Sequence, residues 1–172
     1  MQSSAVLGWR AMTIGVLFVC TGNICRSPMA KGVFTTLVRR AGLAAAFTID
    51  SAGTYEGHVG KAASLLAVEA ARRRGYDIAD HKARLLTSED LERFDHPMAM
   101  DRTHLAAMRW MAPRKLQDRP QMLMRSAPEL NIVDIADPYG GPAAGYEKAL
   151  DLIEAGCKGL LTRLAAQVKA AT

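Results

Sequence analysis

The chain has 172 residues, the size of one ordinary domain with room for a single core and a single active centre. Hydrophobic residues make up 49% and charged residues 23%, which excludes a mainly disordered or collagen-like chain. The formal charge of +5 favours anionic partners without singling out nucleic acid, because a bound phosphate suits it equally well.

The cysteines are Cys20, Cys25 and Cys157, too few and too odd in number for a disulfide framework, so the expectation is a reduced, cytoplasmic protein. The apolar stretch from Ile14 to Val19 follows Arg10 as a signal peptide would, but it is short and no small-x-small cleavage site comes after it. No run approaches the roughly 18 apolar residues of a membrane span, so no membrane insertion is expected. Residues 1–11 carry no periodicity and read as a weakly ordered extension, with Met12 a candidate start and 12–172 one domain.

In chain order, Thr13 to Val19 is β-branched and aromatic without a polar break, as a strand buried on both faces would be. It runs into a glycine-containing loop, after which Ser27 and Pro28 read as N-cap and first position of a helix reaching about Arg40. Phe47 to Gly53 is a second strand, and Ala62 to Arg74 a helix closed by Gly75. Arg72, Arg73 and Arg74 in its last turn read as cations placed against the helix dipole rather than as a phosphate patch. Thr87-Ser88-Glu89-Asp90 opens a short helix, His96 to Met100 is a third strand, and Asp101 caps a helix through about Met111. Gln121 to Met124 is a weak fourth strand, and Pro142 to Val168 carries the apolar stripe of a long closing helix. Strands alternating with helices predict an α/β fold: a four-stranded parallel sheet covered on both faces, with a phosphate-binding loop between the first strand and the first helix.

Chemistry concentrates in that loop. Cys20 and Arg26 are six apart, at a strand end and a helix start, where α/β sheets bind ligands. A loop curled between them can turn successive backbone N–H groups inward as an anion nest and add the partial positive charge of the helix N-terminus. That field favours a thiolate, making Cys20 a candidate nucleophile. Arg26 offers a planar fork for two phosphoryl oxygens. Cys157 lies on the apolar stripe of the last helix and reads as core. Cys25 is either packing or a resolving thiol that traps oxidised Cys20 as a disulfide. His58, His96 and His104 show no ligand spacing and read as surface or packing residues, and no metal or other cofactor is expected. Asp137, in Asp-Pro-Tyr-Gly-Gly, reads on residue type alone as a turn residue.

The run Val16 to Ala30, then Asp50-Ser51-Ala52-Gly53-Thr54, His81-Lys82-Ala83-Arg84, Ala99-Met100-Asp101 and Asp137-Pro138-Tyr139 resembles the low-molecular-weight protein tyrosine phosphatases in order, over about 13 to 168. The resemblance implies hydrolysis of phosphotyrosine in a protein or peptide, with a cognate tyrosine kinase as a further partner. It implies that Cys20 forms a cysteinyl-phosphate, that Arg26 clamps the phosphate and that Asp137 is general acid, then base. Thr21, Gly22, Asn23, Ile24, Cys25 and Ser27 would make the phosphate-binding loop. Asn23, Ser27, Ser51 and His81 would form the network that supports it, Ser27 also reaching the Cys20 sulfur.

Departures from the family pattern fall at the mouth of the site. Gly57 stands where members often carry a Trp or Tyr wall, leaving Tyr55, His58 and Tyr139 as wall candidates, and His104 replaces an asparagine usual after the Met-Asp pair. The alternative activity is that of a protein arginine phosphatase, whose loop carries Thr where this chain has Ile24; a bulky Ile24 should crowd a guanidinium and accept a phenyl ring. A non-catalytic phosphate-binding module is the reading from a different class, and the presence of both Cys20 and Asp137 speaks against it.

Overall fold

The computed structural model describes residues 13–171, so the expected extension 1–11 and the candidate start Met12 lie outside the described residues. β1 (Ile14–Cys20), β2 (Phe47–Gly53), β3 (His96–Ala99) and β4 (Gln121–Met122) form one sheet in the order β2-β1-β3-β4, every neighbouring pair parallel. This is the predicted architecture. Alternation along β1 sends Val16 and Phe18 to one face and Leu17 and Val19 to the other, so an unbroken apolar run feeds two cores.

The first core lies under α1 (Arg26–Arg40), α2 (Leu65–Arg73) and α5 (Ala143–Ala170), where Phe18, Phe34 and Phe47 meet edge to face at 5.7 and 5.5 Å. Cys157 is fully buried there, as its place on the apolar stripe predicts. The second core packs Leu91 of α3 (Ser88–Arg93) and Met108 of α4 (Arg102–Met111) against Leu17 and Val19. Thr87 and Asp101 cap α3 and α4 with reciprocal capping boxes.

Several boundaries differ from expectation for local reasons. α1 begins at Arg26, and Ser27 does not cap it, because its hydroxyl is drawn into the loop network described below. α2 begins three residues late: Gly60 and Lys61 pair with Ala83, and the Ser64 N–H donates to Ile24 O at 2.8 Å, so this stretch is spent bracing the loop. β4 stops at Met122, where the chain turns into a 3-10 segment over Leu123–Ser126. The arginines closing α2 have a more specific role than dipole complementarity. Arg73 pairs with Glu147, and Arg74 with Glu147, Asp151 and Glu154, which ties α2 to α5.

After β1 the chain lays β2 on one side and β3 on the other, so the sheet reverses its order at the C-terminal end of β1. A crevice opens at such a switch point, and Cys20 sits at its base. Gly159 is where α5 crosses the 123–126 segment, and a Cβ there would overlap the Ser126 carbonyl. Gly159→Ala should therefore lower stability by about 2 kcal/mol, the cost of overpacking, although alanine is the better helix former. A urea-unfolding midpoint reads the sign directly; a stabilised variant would refute the close approach.

Candidate active site

The loop from Cys20 to Arg26 is held from outside by its carbonyls. Cys20 O accepts from Thr54 N at 3.0 Å, Thr21 O from Tyr55 N at 2.9 Å and Ile24 O from Ser64 N at 2.8 Å. His81 Nε2 lies 2.6 Å from Asn23 O; a carbonyl can only accept, so Nε2 carries the proton. Burial lowers the His81 pKa, in keeping with a neutral ring. With these carbonyls engaged outward, the N–H groups of Thr21 to Cys25 have no hydrogen bond to the chain among the described residues. These donors are left for an outside acceptor, which is what the anion nest expected from the sequence requires.

Asn23 makes the curl. It takes a left-handed conformation, φ 55°, which asparagine tolerates better than most residues. Its Nδ2 donates to Ser27 Oγ at 2.8 Å and to Ser51 Oγ at 2.9 Å, and its Oδ1 accepts from Arg84 N at 3.0 Å. Gly53, at the end of β2, lets the strand pass under the loop, since a Cβ there would lie 2.6 Å from Thr21 O. Arg84, the last residue of the His81-Lys82-Ala83-Arg84 motif, has a role that its residue type does not announce. Its guanidinium pairs with Asp50 and Asp90, which fixes its backbone N–H beneath Asn23.

Cys20 is 3% exposed, with Sγ 2.9 Å from Ser27 Oγ. That oxygen already accepts from Asn23, and its own proton has the sulfur at 2.9 Å and Ala52 O at a longer 3.5 Å as acceptors. Arg26, 2% exposed, lies across the loop from Cys20. Its Nη1 donates to Asp101 Oδ2 and to Ile135 O, both at 2.8 Å. Its Nη2 lies 3.5 Å from Asp137 Oδ2, and its buried Nε has no partner. One edge of the guanidinium is therefore committed to the protein, while the Nε–Nη2 edge keeps the geometry of a fork for two oxygens.

Asp101 is a site residue that sequence reasoning read only as a helix cap. Burial opposes its charge, but hydrogen bonds from Thr103 and Arg26 outweigh it and hold the carboxyl below the usual carboxylate range. The signal was available, since a buried arginine requires an anion. His104 reads from the sequence as a surface or packing residue. It is buried, with Nδ1 3.2 Å from Asp101 N and Nε2 2.9 Å from Thr21 Oγ1. No residue pattern reveals a contact across 83 positions.

Asp137 stands at the rim, half-exposed, in a turn closed by Tyr139 N donating to its Oδ1 at 3.1 Å. The segment reaches this place because Ile135 N bonds Met100 O beyond β3 and Asp134 pairs with Arg102. The cleft, about 170 Å³, has Cys20, Cys25 and Arg26 at its base and Thr21, Gly22, Ile24 and Asp137 around it. Tyr55, His58 and Tyr139 border it, His58 meeting each tyrosine edge to face at 5.7 and 5.5 Å. The Tyr55 ring occupies the space that a side chain at Gly57 would fill, so the three wall candidates are brought together where the usual aromatic is missing. A larger cleft of about 320 Å³ lies between α1 and the 75–81 turn, and none of its lining residues is a cysteine.

Cys25 also faces the cleft. Its sulfur lies 3.2 Å from Ser64 Oγ and 3.7 Å from Tyr146 Oη, and burial pushes its pKa up. Cys157 is shielded on the far side of α1, its thiol likewise pushed up by burial. Among the described residues no group of histidine, cysteine and carboxylate side chains is arranged to hold a metal ion. No helix among them is long and apolar enough to cross a membrane.

The family profile described as low molecular weight phosphotyrosine protein phosphatase matches residues 15–170. A low molecular weight protein-tyrosine-phosphatase of Streptomyces coelicolor is 40% identical over 161 residues, covering 92% of this chain and 98% of that protein. The crystal structure of YfkJ from Bacillus subtilis superposes with a TM-score of 0.86 at 35% identity, covering 92% of this chain and 98% of that one. A protein tyrosine phosphatase from Entamoeba histolytica, solved with Hepes in its active site, gives a TM-score of 0.87 at 29% identity, covering 90% and 99%. Family profile, relatives and superpositions agree over nearly the whole of the described sheet and helices, and the chain belongs to the low molecular weight phosphotyrosine protein phosphatase family.

Proposed function

We propose that the protein hydrolyses phosphotyrosine in proteins or peptides through a cysteinyl-phosphate, Cys20 being the nucleophile, Arg26 the phosphate clamp and Asp137 the general acid and base. The observation that carries this reading is the buried, unpartnered Nε of Arg26 on the same loop as the Cys20 sulfur. An unpaired donor at that depth is costly unless an anion uses it.

The phosphoryl oxygens sit against the loop amides and the Nε–Nη2 edge of Arg26, which places phosphorus over Cys20 Sγ. The sulfur attacks in line, an S–P bond forms, and the bond from phosphorus to the phenolic oxygen breaks. Asp137 delivers a proton to that oxygen as it departs, and tyrosine leaves. Asp137, now a carboxylate, takes a proton from a water molecule that attacks phosphorus. The S–P bond breaks, the Ser27 hydroxyl steadies the departing thiolate, and inorganic phosphate is released. The amides and Arg26 hold the equatorial oxygens best when charge on them is greatest, so they favour the transition state over the bound ester.

Substrate class follows from the walls. Ile24, Tyr55, His58 and Tyr139 make an apolar and aromatic slot that accepts a flat phenyl ring, with Tyr55 and His58 replacing the aromatic absent at Gly57. A tyrosine kinase acting on the same proteins is the partner this activity requires. Three unpaired thiols suit a reducing, cytoplasmic setting. Cys25, on the same loop, has the position of a resolving thiol: a sulfenic acid on Cys20 would condense with it to a disulfide, releasing water.

Cys20→Ser should abolish phosphate release from a phosphotyrosine peptide, by about 10³-fold or more, while the protein still binds phosphate; undiminished release would refute the assignment. Asp137→Ala should slow the same peptide by about 10²-fold or more and an aryl phosphate with an acidic phenol far less. Equal losses on both would remove Asp137 as the acid. Mild peroxide should inactivate the protein in a way that a thiol reductant reverses, and in Cys25→Ser the loss should become largely irreversible. Equal recovery in the two proteins would leave Cys25 a packing residue.

A further inference from the structure

His104 is a buried polar side chain that the mechanism above does not use. Its ring joins two parts of the site: Thr21, the residue after the nucleophile, and Asp101, the anchor of Arg26. The geometry fixes where its proton lies. Nδ1 lies 3.2 Å from both the backbone N and Oδ1 of Asp101, but only the backbone N–H is aligned for a hydrogen bond with it, so Nδ1 is the acceptor and the single proton of the neutral ring is on Nε2. Nε2–H therefore donates to Thr21 Oγ1 at 2.9 Å. Burial lowers the ring to about 4, the nearby carboxylates of Asp101, Asp137 and Asp134 and the Arg26 cation pulling in opposite directions, so it stays neutral well below neutral pH.

The consequence falls on Thr21. A hydroxyl that accepts from His104 must point its own hydrogen elsewhere, and among the described residues Oγ1 has no other partner. Thr21 is exposed and lines the cleft that holds Cys20, Arg26 and Asp137. On the phosphatase reading above, we infer that His104 is a positioning residue that sets the Thr21 hydroxyl as a hydrogen-bond donor to the phosphate ester bound in the cleft. Thr21 thus adds a side-chain donor to the amides of the loop, and His104 spares it from turning to compete with the ester as an acceptor. The imidazole is suited to this, because one rigid ring accepts from Asp101 N on one edge and donates to Thr21 from the other.

The test is steady-state hydrolysis of a phosphotyrosine peptide by the full chain, with thermal melts on every variant. Thr21→Val keeps the shape of the side chain and removes the hydroxyl; it should lower kcat/KM about tenfold with an unchanged melting temperature, and Thr21→Ser should restore most of the loss. His104→Asn should give a similar loss, and the double variant Thr21→Val/His104→Asn no more than the larger single effect, because the two residues act as one unit. Thr21→Val as active as the native chain, or losses that multiply in the double variant, would overturn the inference. If His104→Asn does not fold, the comparison of Thr21→Val with Thr21→Ser decides alone. A native chain with no phosphotyrosine hydrolysis would sink the phosphatase reading and this inference with it, whereas an active native chain matched by Thr21→Val would sink only the inference.

Discussion

The site depends on one constraint: the Cys20–Arg26 loop must stay curled with its amides inward when nothing negative is there to hold it. The carboxamide of Asn23 meets that requirement. Its two donor bonds reach Ser27 and Ser51, and its acceptor takes Arg84 N–H, so one buried side chain ties together α1, β2 and the 81–86 segment. Each of those bonds would be modest alone, but buried polar networks gain when every member is satisfied and lose heavily when one is not. The left-handed backbone at Asn23 persists because its surroundings over-determine it.

The second requirement is a cation in the interior. Burying Arg26 is tolerable because Asp101 and the Ile135 carbonyl take one edge of the guanidinium, leaving the other edge to the ligand. Asp101 can do this because it also caps α4, whose first N–H groups it accepts. The start of α4 is thereby coupled to the Arg26 guanidinium. His104 extends the coupling to Thr21, so the capping box that starts α4 also reaches the Cys20–Arg26 loop.

How much of this could be read beforehand depended on sequence distance. The strand Thr13–Val19, the loop and the helix after it were legible because their signals are local: an unbroken apolar run, a glycine, an early proline. The same locality misled at Ser27, which has the residue type of an N-cap but spends its hydroxyl on Cys20 and Asn23. The late start of α2 was hidden too, because Ser64 is held by Ile24 O from a distant segment. Asp101 and His104 were recognised for what they do to their own helix and missed for what they do to residues 75 and 83 positions away. Tyr55 over Gly57 lay between these cases, since the missing wall was visible in the sequence and its replacement depended on how the 54–58 turn folds.

The two aspartates nearest Arg26 show how one residue type is given opposite duties. Asp101 is mostly buried and accepts from Arg26, from the Thr103 hydroxyl and from two backbone N–H groups, a set that leaves it no freedom to move or to carry a proton. Asp137 is half-exposed, fixed by a single backbone bond from Tyr139, and only 3.5 Å from Arg26 Nη2, a separation too long for a strong charge-assisted bond. On the proposed mechanism, a phosphoryl oxygen arriving at Nη2 would displace that contact at small cost and leave the carboxyl group beside the ester oxygen it is to protonate. A more tightly bound acid would have to be pulled from the cation in every turnover, so the proposed role of Asp137 asks for a loose turn as much as that of Arg26 asks for a rigid loop.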